Sequence, residues 1–312
     1  MDIPNSPLLT RIFENYTDFL PDTGSAYVAF NGVEERSCQF DENSFASRGV
    51  SFVQVVREGD SDFDVQGDDD CTKTYRLRSR KQLGSLWVTG GWDTIYLDIT
   101  GLRHHIWIPL LRSALDHCTN VRVIYIEPGH YRPNAAPTEV QMYDLSERIN
   151  GIGPIPGFAS LSRSNDDFLF VPLLGFEGTR VAHLLEDVQP LDDRIIPVVG
   201  VPGFRPEHAF SAYLGNRVAL RETNAWQRVE YADANCPFSL FYLLEDIAAR
   251  NTDVQIKIAM VGTKPHALGA MLFVLSNTSD RELIYDHPVR KHRRTLGIGR
   301  LLEYDVGAFQ SP

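Results

Sequence analysis

The sequence has few cysteines, no long apolar run and a shortage of positive charge. Its 4 cysteines are scattered along 312 residues without a close pair, which argues against a disulfide framework and against a thiolate metal site. No apolar run approaches the roughly 20 residues that a membrane helix needs. The N-terminus lacks the basic start and apolar block of a signal peptide. We therefore expect a cytoplasmic protein without membrane association, bound metal or other cofactor.

The formal net charge of -11 argues against broad, nonspecific binding to a nucleic-acid backbone. It leaves room for a small local phosphate site. Two basic clusters, Arg76–Lys81 and Arg290–Arg294, belong either to a solvated surface or to a face that meets a polyanionic ligand or a partner. The acidic stretch Glu58–Asp70 spaces aspartates like a calcium loop but lacks its central glycine and final glutamate, so it predicts a flexible solvated loop.

The most informative feature that is present is an apparent internal repeat. Segments of the first half reappear in the second half in the same order: a strand with a Gly-Glu-Arg turn, a strand with a glycine turn and a helix, and a strand that ends near a proline. The paired segments are Ala26–Ser37 with Phe168–Arg180, Thr94–Leu115 with Ile256–Leu275, and Val121–Pro133 with Arg281–Arg294. A repeat of this length predicts two copies of one domain. The alternative is a general likeness between two α/β domains.

Short apolar runs without alternation are typical of strands that are covered on both faces, as in parallel sheets. Because these runs alternate with helical patterns, the sequence predicts two tandem Rossmann-like, doubly wound α/β domains related by internal duplication. We place the first at 1–150, with a degenerate site, and the second at 165–312, joined by a Gly-, Pro- and Ser-rich linker. Helical spacing of apolar residues predicts a helix over residues 1–20, and the C-terminal segment from Arg300 predicts a last strand.

The most specific segment is Met260–Ala270, which follows an apolar strand and opens a helix. Gly262 permits a tight turn, Thr263 can cap the helix, and Pro265 suits its first turn. Free backbone N–H groups and the helix dipole then favour an anion at the edge where open α/β sheets bind ligands. An exposed Lys264 would add a mobile charge for a phosphate. The alternative is a well-formed helix start without a ligand.

The residues Gly262-Thr263-Lys264-Pro265, between a strand and a helix of small and aliphatic residues, resemble the second motif of the CRISPR-associated Rossmann-fold sensor domains. The resemblance covers Gly262–Met271. It implies that the turn contacts the backbone of a cyclic oligoadenylate and that the protein serves bacterial antiviral defence. The segments "GVEERS" and "DITGL" also resemble features of uncharacterised proteins of defence loci. Those domains pair in a symmetric dimer, whereas here the copies are fused and the turn Thr100–Arg103 lacks a proline, which suggests one degenerate site.

Further candidate ligand-binding residues lie at the other turns. The first copy contributes Asp98, Thr100, Gly101 and Arg103, and the two Gly-Glu-Arg turns contribute Gly32, Glu34, Arg36, Gly175, Glu177 and Arg180. Arginine can bind phosphate bidentately and glutamate can accept hydrogen bonds from ribose hydroxyls. The alternative is an ion pair that holds each turn. His104 and His266 are candidates for phosphate binding or general-acid catalysis, with a packed or surface histidine as the alternative for each.

The sequence therefore favours a nucleotide-binding or sensing component of a bacterial antiviral defence system. We expect it to bind a phosphorylated small molecule or an oligonucleotide, with a cyclic oligonucleotide as one candidate, in the cleft between its halves, and to act through a protein partner or as a homo-oligomer. One alternative is a metal-independent phosphodiesterase that uses Lys264, His266, Arg103 and His104. Another is a structural subunit of a defence complex with a vestigial pocket. Only the resemblance supplies the ligand class and the defence context.

Overall fold

The chain folds into two compact units in the computed structural model, which describes residues 9–66, 71–138, 141–159 and 167–310. Unit 1 comprises the described residues up to His130 together with those from Thr295 onward, and unit 2 comprises those of Tyr131–Arg294. These ranges differ from the predicted domains at 1–150 and 165–312. The physical reason is that the last strand of the chain joins the sheet of unit 1.

The strands, in chain order, are β1 (Thr10–Phe13), β2 (Ala26–Phe30), β3 (Ser51–Glu58), β4 (Asp62–Gln66), β5 (Thr72–Arg76), β6 (Thr94–Asp98), β7 (Asn120–Tyr131), β8 (Ser146–Ile149), β9 (Gly153–Pro154), β10 (Phe168–Leu173), β11 (Val198–Gly200), β12 (Glu230–Ala232), β13 (Gln255–Met260), β14 (Arg281–Tyr285), β15 (Pro288–Arg290) and β16 (Thr295–Asp305). The α-helices are α1 (Glu42–Ala46), α2 (Arg80–Gly90), α3 (His104–His117), α4 (Gly178–Val188), α5 (Glu207–Glu222), α6 (Pro237–Arg250), α7 (Lys264–Ser276) and α8 (Val306–Gln310). None of these described helices is long and apolar enough to cross a membrane.

Unit 1 is built on an eight-stranded sheet with the order β1-β16-β7-β6-β2-β3-β4-β5. Its centre is parallel, because β6 pairs with both β7 and β2, and β2 pairs with β3, all in the same direction. Every residue of β6 is buried, as expected for a strand that is covered on both faces. An aromatic core packs on this sheet around Phe19, Tyr27, Phe40, Phe45 and Phe52.

Unit 2 is built on a six-stranded sheet with the order β12-β11-β10-β13-β14-β9. Its first five strands are parallel, and β9 is an antiparallel edge. Numbered along unit 2, the parallel strands run 3-2-1-4-5, which is the first five strands of the classic Rossmann order 3-2-1-4-5-6. A separate two-stranded sheet is formed by β8 and β15. The predicted α/β class with parallel sheets is confirmed, and the sheets are compatible with a Rossmann-like fold.

The two parallel cores share one strand order. In unit 1 the neighbours are β7-β6-β2-β3, and in unit 2 they are β14-β13-β10-β11. The segments that the sequence pairs as repeats therefore occupy equivalent sheet positions, including the two Ile-Tyr strands β7 and β14. An internal duplication would produce this shared strand order. The duplication itself stays a prediction.

Two local predictions are wrong. The described part of residues 1–20 forms β1 and a 3-10 turn (Tyr16–Asp18) instead of a helix, because β1 is held by antiparallel pairing with β16. The acidic stretch 58–70 contains the strand β4, in a hairpin with β5. Its alternate residues Phe63 and Val65 are buried, which explains why the segment pairs. Residues 67–70, and residues 160–165 of the predicted linker, lie outside the described residues.

Candidate functional site

The strand order of unit 2 reverses between β10 and β13, and ligands of open α/β sheets bind outside such a point at the carboxyl ends of the strands. Gly175 follows β10 and Gly262 follows β13. A Cβ atom on Gly175 would lie 2.5 Å from the carbonyl oxygen of Val261, and one on Gly262 would lie 3.2 Å from that of Leu174. The two turns therefore touch, and any side chain at Gly175 would push them apart.

Helix α7 begins at this point and is fixed there by its cap. The hydroxyl of Thr263 accepts a hydrogen bond from the backbone N–H of His266 at 3.3 Å and donates one to the carbonyl of Ala234 at 2.7 Å. Pro265 lies in the first turn. The helix is buried along Lys264–Val274. Its N-terminal amides and the positive end of its dipole thus lie at the carboxyl edge of the sheet.

Lys264 is not the exposed side chain that the sequence predicts, because only 6% of its surface is accessible. The reason is that α7 is covered on all sides, so its first residue is enclosed with it. Withdrawal from water strengthens the attraction of an ammonium group for an anion nearby. Lys264 is therefore a component of a packed turn and not a mobile surface cation.

His266 is also enclosed, with 1% of its surface accessible. Its Nε2 lies 3.0 Å from the carbonyl oxygen of Asp233, and burial lowers the pKa of His266 to about 4. Because a carbonyl only accepts, Nε2 carries the hydrogen and Nδ1 is left as an acceptor. Nδ1 has no hydrogen-bond partner among the residues that the structure describes. A neutral imidazole does not fit a charged phosphate contact, but it suits a hydrogen-bond acceptor.

Glu177 and Arg180, at the start of α4, are engaged inside unit 2. Two nitrogen atoms of Arg180 donate to the two carboxylate oxygens of Asp286, both at 2.6 Å, and Asp286 is completely buried. Glu177 accepts hydrogen bonds from the backbone N–H groups of Leu145 and Ser146 at 2.7 and 2.9 Å. These contacts correspond to the structural alternative, in which ion pairs and hydrogen bonds hold the turn.

The equivalent turn of unit 1 is closed in the same way. Glu34 accepts from the side chain of Arg36 and from the hydroxyl of Thr295, both at 2.9 Å. Arg36 also donates to the carbonyl of Ile126, within β7. The turn at Gly32 precedes these residues, and all three side chains, Glu34, Arg36 and Thr295, are buried. Neither predicted arginine, Arg36 or Arg180, therefore offers its guanidinium at an open edge.

The turn after β6 is internally bonded as well. Asp98 accepts from the backbone N–H of Thr100 at 2.7 Å and from the hydroxyl of Tyr27 at 2.9 Å. Burial and the charge of Asp98 raise the pKa of Tyr27, so its hydroxyl stays protonated and donates. The Thr100 hydroxyl accepts from the N–H of Ile126 at 2.9 Å. A Cβ atom on Gly101 would lie 2.0 Å from the carbonyl oxygen of Phe30, so glycine is required there.

The N-terminus of α3 in unit 1 already holds an anion from the chain itself. The carboxylate of Glu58, the last residue of β3, accepts from the backbone N–H of Arg103 at 2.6 Å, and the Arg103 guanidinium lies 3.4 Å from it. His104 follows, buried, with its ring centroid 5.7 Å from that of Trp107. This arrangement matches the packed-histidine alternative, and it shows that the helix after β6 accommodates negative charge.

The sequence interpretation missed a cluster of aromatic side chains near the same edge of unit 2. Phe176 follows Gly175, stacks on Tyr143 at 4.6 Å between ring centroids, and meets the His208 ring at 5.2 Å. Tyr131 packs edge-on against Phe176 at 5.1 Å. These rings are partly exposed. The signal was present in the segments "LGFEGTR" and "GFRPEH", where aromatic residues adjoin the turns that end β10 and β11.

The described part of the chain brings no three His, Cys, Asp or Glu side chains together in a way that could hold a metal ion. The chain matches no protein-family model and no curated protein.

Proposed function

We propose that unit 2 binds a phosphate-bearing nucleotide at the N-terminus of α7. The observation that carries the proposal is the position of this helix: it starts directly after β13, at the reversal of strand order, with its cap fixed by Thr263. Helix N-termini at this place in α/β sheets favour phosphates through their dipole and backbone N–H groups. In α7, Pro265 has no N–H and that of His266 is bonded to Thr263, so the dipole and the Lys264 side chain carry the attraction. Lys264, enclosed in the same turn, supplies a cation.

The contrast with unit 1 supports the assignment of the site to unit 2. In unit 1 the carboxylate of Glu58 occupies the N-terminus of α3. The strand equivalent to β3 is β11, which ends at Gly200 and is followed by Val201, residues without a carboxylate. In unit 1 the Glu58 carboxylate thus neutralises the start of α3. In unit 2 the end of the equivalent strand supplies no such carboxylate to the start of α7.

The aromatic cluster supports a nucleotide over a simple anion. Phe176 and Tyr143 are partly exposed and follow or flank the turn at Gly175, which touches the Val261–Gly262 turn. Aromatic side chains bind nucleobases by stacking, which contributes about 1–3 kcal/mol per base. A phosphate at α7 and a base on these rings would use neighbouring parts of one edge.

We extend this proposal to a cyclic oligoadenylate as the ligand and to sensing in bacterial antiviral defence, on the resemblance of Gly262–Met271 to the sensor domains. The shared order of four parallel strands supports a fused duplication with one working site, in unit 2. The chain would then pass on its signal through a protein partner or through self-association.

Replacing Lys264 with methionine is expected to weaken nucleotide binding about ten- to a hundredfold, because one charge-assisted phosphate contact contributes about 1.5–3 kcal/mol. Methionine keeps most of the volume of this buried side chain, so the fold should be retained. Calorimetric titration with AMP, linear oligoadenylates and cyclic oligoadenylates measures the loss. Arg103→Ala, in the turn of unit 1, is the matched control and should change the affinity little. Equal affinity of Lys264→Met and wild type would remove Lys264 from the site.

Cleavage of the bound nucleotide would distinguish the phosphodiesterase alternative from binding alone. A neutral His266 at pH 7 does not supply the proton that a general acid must give. We therefore expect the bound cyclic oligonucleotide to be recovered intact after prolonged incubation, as followed by chromatography and mass spectrometry. Linear products that disappear in His266→Gln, with binding retained, would assign an enzyme instead.

A further inference from the structure

Helix α5 of unit 2 carries an exposed apolar stripe. Phe210, Leu214 and Val218 are 73%, 41% and 48% accessible, and they follow one another at intervals of one helical turn. The opposite face of the helix, which includes Ala212 and Ala219, is buried in the core of unit 2. The stripe therefore does not serve the packing of its own unit, and exposed apolar rows of this kind mark interaction surfaces.

The stripe is flanked by opposite charges in a symmetric pattern. Glu207 lies at the N-terminal end of α5 and Arg221 at the C-terminal end, each seven positions from Leu214. Phe210 and Val218 lie four positions from Leu214 on either side. If a two-fold axis passes through Leu214, an antiparallel second helix places Val218 of the second copy opposite Phe210, and Arg221 of the second copy opposite Glu207. The surface is thus complementary to itself, because apolar side chains face apolar side chains and each carboxylate faces a guanidinium group.

We propose that α5 is a dimer interface that binds α5 of a second copy of this chain in antiparallel orientation, with Leu214 at the two-fold axis. Isologous contacts of this kind close on themselves and produce a dimer. The Glu207 side chain is 60% accessible and its ion pair with Arg205 is long, at 3.9 Å. It therefore remains accessible to an arginine that approaches from a second molecule.

Neighbouring side chains extend the surface beside the helix. Tyr231 is 53% accessible, and its hydroxyl lies 2.5 Å from that of Tyr213 on α5. Trp226, 56% accessible, lies in the 3-10 turn Ala225–Arg228, which packs on α5. Large aromatic side chains are enriched at protein interfaces. A membrane surface is a poor alternative occupant, because interfacial helices carry a predominantly basic polar face, whereas the flanks of this stripe carry both signs, with Glu207 and Glu222 beside Arg221.

Leu214→Glu is expected to convert a dimer into a monomer, since it places two carboxylates against each other at the axis. Sedimentation velocity or light scattering coupled to gel filtration would show the mass fall from two chains to one, with one chain at 35.2 kDa. The matched control is Val88→Glu, on α2 of unit 1, where the side chain is 72% accessible. This control should leave the dimer intact. Circular dichroism melts check that both variants fold.

A charge exchange tests the orientation. Glu207→Arg or Arg221→Glu alone creates two like-charged contacts per dimer and should raise the dissociation constant about tenfold. The double exchange should restore it. Within one helix the two residues are about 21 Å apart at 1.5 Å per residue, so restoration can arise only between chains.

Three results would overturn the proposal. They are a wild-type protein that stays monomeric as its concentration rises, a dimer that survives Leu214→Glu, and charge exchanges whose effects add without restoration. A wild-type monomer that binds a different protein through α5 would also overturn the proposal, because the stripe would then be the binding surface for that protein.

Discussion

Asp286→Ala is expected to destabilise unit 2 by about 3–5 kcal/mol, the usual effect of breaking a buried ion pair by removing one partner. Asp286 is completely buried and holds Arg180 by two hydrogen bonds of 2.6 Å. Burial alone disfavours the guanidinium cation, but the bonds and charge of Asp286 raise the pKa of Arg180 above its ordinary value. Without the carboxylate, a cation remains enclosed, with the Glu177 carboxylate 3.8 Å away as its nearest ion-pair partner.

Hydrogen exchange followed by mass spectrometry would measure the effect in peptides from α4 and β14, so that unit 2 is observed separately from unit 1. Glu230→Ala is the matched control. It breaks an ion pair with Arg250 of similar length, 2.9 Å, between side chains that are 30% and 50% accessible, and it should cost about 0–1 kcal/mol. The double variant Arg180→Met/Asp286→Leu should recover most of the stability, because it removes both buried charges. Equal effects of Asp286→Ala and Glu230→Ala would contradict the prediction.

The elements that the sequence predicted well are those with a strong local signal. Helix α7 begins directly after the turn at which the sequence predicts a helix start, with Pro265 in its first turn, and β16 covers the segment from Arg300 that predicts a last strand. Local signals failed where a distant strand decided the structure. β1 has helical spacing of apolar residues but is held by β16, from the other end of the chain. The same pairing explains why the domain boundary could not be found from composition.

The turns of the candidate site were predictable, and the contacts of their side chains were not. Gly175 and Gly262 meet because the strand order brings β10 and β13 together, and glycine at a strand end signals such a turn. The partner of Arg180, however, is 106 positions away in the sequence. No local pattern distinguishes an arginine that binds phosphate from one that binds a buried aspartate. Burial of Lys264 likewise follows from the packing of α7 as a whole.

Acidification is expected to cost unit 2 about 3 kcal/mol between pH 6.5 and pH 4 because of His266 alone. In the unfolded chain this imidazole takes up a proton as the pH falls through its ordinary pKa of 6.5, whereas burial lowers the pKa of His266 in the folded state to about 4. Protons therefore bind preferentially to the unfolded state over this range. The stabilising contribution is complete above pH 6.5 and is lost as the pH falls toward 4.

Urea unfolding at a series of pH values would measure this loss as the slope of the unfolding free energy against pH. His266→Gln cannot titrate in this range. Below pH 6.5, the acid limb of the curve, the unfolding free energy of this variant should therefore change less with pH, whatever its stability at pH 7. His183→Gln is the matched control, because His183 lies exposed on α4 and its replacement should leave the limb unchanged. An acid limb that is equally steep in His266→Gln and in wild type would show that the buried imidazole is not the group that makes unit 2 acid-sensitive.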